Sequence, residues 1–108
     1  MFWTVRQNNS GGYFIQNDVV DEYLCVEANS VEEAEKRIEK ITEDHSDFCP
    51  CCGERWSYWF DKDSGQDFPH DGYGDPLIDG KTYIYSRQGA AIIHYLDGRI
   101  EKLVMLKN

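Results

Sequence analysis

Glu22-Tyr23-Leu24-Cys25-Val26-Glu27-Ala28-Asn29-Ser30-Val31-Glu32-Glu33-Ala34-Glu35-Lys36-Arg37-Ile38 turns a strand into a helix, and that passage decides the fold class. Residues 22–27 read as a strand that sets Tyr23, Cys25 and Val26 against a core. Ser30 is placed to cap the helix that follows: its hydroxyl accepts from the Glu33 amide while the Glu33 carboxylate reaches back, and Glu32 and Glu33 favour the positive end of the helix dipole. Val31, Ala34, Ile38 and Ile41 recur at spacings of three and four, which gives one apolar stripe. Glu32 with Lys36, and Glu33 with Arg37, are the expected i,i+4 ion pairs of the wet side. A helix with one apolar face packs against a sheet by that face.

Towards the amino terminus, Phe2 to Arg6 reads as a strand that Asn8-Asn9-Ser10-Gly11-Gly12 reverses into Tyr13-Phe14-Ile15, a first hairpin. Beyond the helix, whose pattern breaks after Thr42, Arg55 to Phe60 alternates as a strand with Trp56, Tyr58 and Phe60 on one face and Ser57 and Trp59 on the other. Asp61 to Asp79, rich in Asp, Gly and Pro, has no period and reads as a long loop. Thr82 to Ser86, Ala91 to Leu96 and Arg99 to Leu106 read as strands, the last two joined by Asp97-Gly98. A two-residue turn there sets Tyr95 opposite Ile100, Ile93 opposite Lys102 and His94 opposite Glu101. The expected fold is α+β: an antiparallel sheet of about six or seven strands with one principal helix packed on a face.

Composition bounds the function. The chain has 108 residues, 41% of them hydrophobic and 14% aromatic, enough for a single folded domain over residues 1–108. A formal charge of -9 opposes direct binding of nucleic acid and favours a basic partner surface. No apolar run reaches the roughly 20 residues that span a bilayer, and the amino terminus opens on a strand rather than a signal core, so the expectation is a soluble, cytoplasmic protein without membrane contact. In that reducing setting its four cysteines are thiols or metal ligands before they are a disulfide framework.

Cys49-Pro50-Cys51-Cys52-Gly53 is the segment with the most chemistry. Proline stiffens the first half of a tight turn and glycine leaves it, so Cys49 and Cys52 can point their sulfurs one way. Zinc takes four tetrahedral thiolate or imidazole ligands, and Cys51, His45, His70 and Cys25 are the candidates to complete a structural site. Two other accounts stand beside it: reduced thiols buried beside Trp56 and Trp59, and a redox dithiol, which lacks its usual βαβ context here. Asp61, Asp63 and Asp67 do not complete a calcium loop, because Gly65, Gln66 and Gly72 fall at the wrong positions. His70-Asp71 reads as a solvated loop pair, and the aromatic strand Trp56 to Phe60 as a core strand that could otherwise stack a base.

Trp3-Thr4-Val5-Arg6-Gln7-Asn8-Asn9-Ser10-Gly11-Gly12, the passage around Glu27-Ala28 and Glu33-Ala34, Cys49-Pro50-Cys51-Cys52-Gly53-Glu54-Arg55-Trp56, and Ile93-His94-Tyr95 with Asp97-Gly98-Arg99 together resemble a family of small uncharacterised proteins of tailed bacteriophages. The resemblance implies a phage gene product at work in an infected bacterium, and no catalytic role follows from it; accessory proteins of that class often bind and disable host factors, immune systems included. The leading expectation is thus a non-enzymatic binding protein for a host protein or a small ligand such as a signalling nucleotide. Asn8, Asn9, Ser10, Arg55, Trp56 and Trp59 are its candidate contacts. The alternative is a small zinc enzyme whose metal keeps an open position beside His70 or Asp71.

Overall fold

The computed structural model describes residues 1–7, 15–43, 48–49, 53–54, 56–57, 65–70, 76–77, 83–84, 90–103 and 106–107. In chain order these form β1 (Phe2–Gln7), β2 (Tyr23–Glu27), α1 (Val31–Thr42), β3 (Phe48–Cys49), β4 (Gly53–Glu54), β5 (Trp56–Ser57), β6 (Tyr83–Ile84), β7 (Ala91–His94), β8 (Ile100–Leu103) and β9 (Leu106–Lys107). The fold is α+β. Four strands of four to six residues make its sheet in the order β1-β2-β7-β8, and the two-residue β5 extends the β1 edge. The pairs β3-β4 and β6-β9 are separate short ladders.

Two features correct the expected antiparallel sheet of six or seven strands. Among the described residues the sheet is smaller, and it is mixed: β2 and β7 run parallel, with Leu24 opposite Ile92 and Cys25 opposite Ile93. A parallel pair needs a crossover rather than a hairpin, and α1 lies within the chain that makes it. The expected first hairpin, through residues 8–14, lies outside the described residues. The antiparallel partner of β1 is β2, with Val5 opposite Leu24, while β5 and Gln66 take opposite ends of its other edge. Among the described residues, Ile15 belongs to no strand.

The central strands carry continuous apolar runs, residues 23–26 and 91–93, because both faces are covered, as is usual for a parallel pair. Tyr23, Cys25, Ala91 and Ile93 meet Phe2, Leu77 and Leu103 on one face; Leu24 and Val26 meet Trp3, Val5, Val20, Trp56, Ala34 and Ile38 on the other. Val26 therefore points away from Tyr23 and Cys25, not with them. Helix α1 covers the second face. Ser30 Oγ accepts from the Glu33 amide at 3.2 Å as the cap requires, but the Glu33 carboxylate reaches back to Asn29 rather than to Ser30. Arg37 forgoes Glu33 and donates to the carbonyls of Glu27 (2.6 Å) and Tyr95 (3.2 Å), tying the helix to the ends of β2 and β7.

The β7-β8 hairpin forms one residue out of the expected register: His94 lies opposite Ile100 and Ile93 opposite Glu101. Its loop holds three residues, not two. Gly98 sits at φ 92 and its amide closes a turn on Tyr95 O, while Tyr95 N bonds Arg99 O, the pattern of a turn followed by a left-handed bulge residue. The slip moves His94 off Glu101, whose carboxylate accepts from the Tyr95 hydroxyl instead.

Candidate functional site

Most of the candidate contacts and ligands, namely Asn8, Asn9, Ser10, His45, Cys51, Cys52, Arg55 and Trp59, lie outside the described residues. Of Cys49 only the strand backbone is described, paired with Gly53. Trp56 and His70 are fully placed, on opposite faces of the sheet. Trp56 is 2% exposed within the helix-side cluster, so its ring is core in this chain. His70 is buried too, and its Nε2 lies 3.2 Å from Phe2 O, which makes that nitrogen the protonated one because a carbonyl only accepts.

Around His70 the structure joins residues that no sequence pattern links. The Thr4 hydroxyl donates to His70 O at 2.7 Å, and the amide and carbonyl of Phe2 pair with those of Gln66. Cys25 is wholly buried opposite Thr4; desolvation pushes its thiol up to about 11, against the opposing pull of hydrogen bonds with the Thr4 side chain and the His70 backbone. Buried and held by those bonds, the Cys25 thiol is a structural group of the core. The effect of the whole arrangement is to fasten residues 65–70 onto β1.

A second polar cluster lies where β1 ends and β2 begins. Gln7 is completely buried and grips residues 15–22 with its amide, donating to Ile15 O and Asp21 O and accepting from Ile15 N. Asp21, also completely buried, accepts through Oδ1 from the amides of Glu22 and Ala90 at 2.8 Å each and from Gln16. Its Oδ2 lies 3.3 Å from Lys102 Nζ, an ion-pair distance without hydrogen-bond geometry. Glu22 pairs with Arg6 Nε at 3.0 Å. Each buried carboxylate thus faces a half-exposed cation, as burial of charge demands. Adjacent acids before an apolar strand are the only signal the sequence offers for this cluster.

His94 completes the clasp on residues 15–20. Its Nε2 lies 2.7 Å from Val19 O, and burial, with the Arg37 charge adding to it, lowers its pKa below the usual histidine value despite that bond. Val20 is buried below the clasp, and Ile15 and Val19 pack beside it. Among the described residues no group of three or more His, Cys, Asp or Glu is set to hold a metal ion, and no helix is long and apolar enough to cross a membrane. The placed acids, imidazoles and thiol hold two irregular segments onto a sheet.

No curated protein and no solved structure matches the chain. A family model does match, over residues 1–108, and the chain belongs to the family described as Domain of unknown function (DUF7296).

Proposed function

We propose that the chain is a phage-encoded accessory protein that works as a non-enzymatic binding module, docking on a basic surface of a host protein and blocking it. The observation that supports this is how charge is divided between interior and surface. Inside, Asp21, Glu22, His70, His94 and Cys25 are engaged by backbone groups or paired cations. Outside, the exposed Glu32, Glu35 and Glu39 of α1 and its cap Glu43 outnumber the exposed Lys36 and Lys40, in a chain of formal charge -9, whereas Asp97 and Glu101 on the β7-β8 hairpin are balanced by Arg99 and Lys102. Exposed charge of one sign steers association with a partner of the other. The same charge repels phosphate, which makes a signalling nucleotide the less favourable cargo.

The test is capture of the partner from the infected host with a tagged chain, then association kinetics with the purified partner. The association rate should fall steeply as ionic strength rises from low salt to physiological salt. A partner that binds at a salt-independent rate, or the absence of any saturable partner, rejects this reading.

A further inference from the structure

Strand β8 ends the sheet, and among the described residues no strand pairs with its outer edge. Its bonds to β7 alternate along the ladder. Tyr95 N donates to Arg99 O, so the pairs in step with it, Ile93 with Glu101 and Ala91 with Leu103, are the hydrogen-bonded ones. Ile100 and Lys102 lie between these and turn their amides and carbonyls outward. The edge is also apolar at its start: Ile100 is 47% exposed and Leu96, on the same hairpin, 43%, two of the four large apolar side chains exposed among the described residues. An open edge of this kind is a template for a further strand.

We infer that two copies of this chain pair antiparallel through their β8 edges, with Ile100 opposite Ile100 of the second copy on the two-fold axis. Symmetry and charge select that register. A two-fold axis through an antiparallel pair sets one residue opposite itself. Centring it on Arg99, Glu101 or Lys102 sets like charges directly opposite each other, which is destabilising. Centring it on Leu103 calls on residue 106, which β6 holds. Centring it on Ile100 does the reverse: Arg99 comes opposite the second copy's Glu101, and Glu101 opposite the second copy's Arg99, on the face that carries Tyr95. Ile100 also has the outward amide and carbonyl, so the central pair exchanges hydrogen bonds in both directions. Arg99 holds Asp97 Oδ2 at 2.8 Å through Nε alone, and its remaining guanidinium donors can take a second carboxylate. Two chains of formal charge -9 repel each other over most approaches, and the hairpin, with Asp97 and Glu101 against Arg99 and Lys102, is a locally neutral one. The inference does not depend on the binding role proposed above: α1 packs over β1 and β2, with β7 between them and β8, so the pairing leaves its acidic face open.

One short edge pair gives a weak dimer, so sedimentation velocity of the full chain at physiological salt, from about 10 μM to about 1 mM, should show a reversible monomer–dimer equilibrium. Hydrogen exchange at the two ends of that range should slow at the Ile100 amide and stay unchanged at the Glu101 amide, which β7 holds in either state. Arg99→Glu and Glu101→Arg each set like charges opposite across the axis and should each weaken self-association roughly tenfold. An equimolar mixture of the two variants should associate again, because glutamate at 99 in one chain then meets arginine at 101 in the other while Glu101 meets Arg99. Mixing restores no contact within either chain, so recovery reads the interface alone. Where a variant fails to fold, sedimentation and exchange of the wild-type chain still decide. A wild-type chain that stays monomeric at the highest concentration overturns the inference, as does a dimer whose Ile100 amide exchanges at the monomer rate, or a mixture that associates no better than either variant by itself.

Discussion

The two faces of the sheet are buried by different means. On one, α1 lays Ala34 and Ile38 over Leu24, Val26, Trp3 and Val5 as a regular apolar stripe. On the other, Leu77 lies against Phe2, Cys25 and Ile93, and residues 65–70 are fastened to β1 by bonds from side chain to backbone: Thr4 to His70 O and His70 to Phe2 O. A helix satisfies its own backbone and needs only an apolar face to dock. An irregular segment must have its backbone groups satisfied by whatever it covers. The helix side should therefore respond most to lost volume, and the coil side to lost hydrogen bonds.

Trp56→Ala gives the largest test of that contrast. Removing a ring 2% exposed within the helix-side cluster should cost ~3–5 kcal/mol of stability. Urea unfolding followed by far-ultraviolet circular dichroism measures it. A loss under about 1 kcal/mol would show that the ring contributes little to the helix-side core, and would return it to the list of partner contacts.

Thr4→Val is the matching test on the coil side. The change keeps shape but removes the donor to His70 O, and a buried acceptor deprived of its partner costs ~1–3 kcal/mol. Hydrogen exchange should show the loss first at the Phe2–Gln66 amide pair, before α1 is affected. Gly65→Ala probes where the two sides meet. A Cβ there would fall 2.7 Å from the Trp3 indole, a rigid and buried ring, so overpacking should cost ~1–3 kcal/mol. Unchanged stability of this variant would mean that residue 65 lies farther from β1.

The contrast also explains what could be read from the sequence. Ser30, Glu33 and the stripe Ala34-Ile38 announce α1 because cap and period are local. Asp97-Gly98 announces a hairpin, yet Gly98 takes a left-handed bulge position in a three-residue loop, and one extra residue shifts every pair. The parallel pairing of β2 with β7 joins residues 68 positions apart, as Tyr23 opposite Ala91, and no local period reports that. The polar clasps were hidden for the same reason. Gln7, Asp21 and Lys102 meet only once strands have been ordered, and His70 resembles a metal ligand until Phe2 O is beside it.

The smallest effect expected is a change of slope with pH, and it separates the clasp on residues 15–20 from the helix beside it. Burial lowers the pKa of His94 in the folded chain, so near neutrality and below, the unfolded chain binds the proton more readily. Stability then rises with pH: the contribution is complete above the unfolded value of about 6.5 and is lost as pH falls through it towards the folded value. His94→Gln keeps an N–H for Val19 O but cannot be protonated. Its urea midpoint should therefore vary less between about pH 7 and pH 5 than that of the wild-type chain. Arg37 adds to the effect from α1, so Arg37→Gln should shallow the slope in part while His94 remains. Equal slopes in the wild type and in His94→Gln would mean that the ring is hydrated in solution, and the clasp on residues 15–20 would then rest on Gln7, the Gln16–Asp21 bond and the buried Val20.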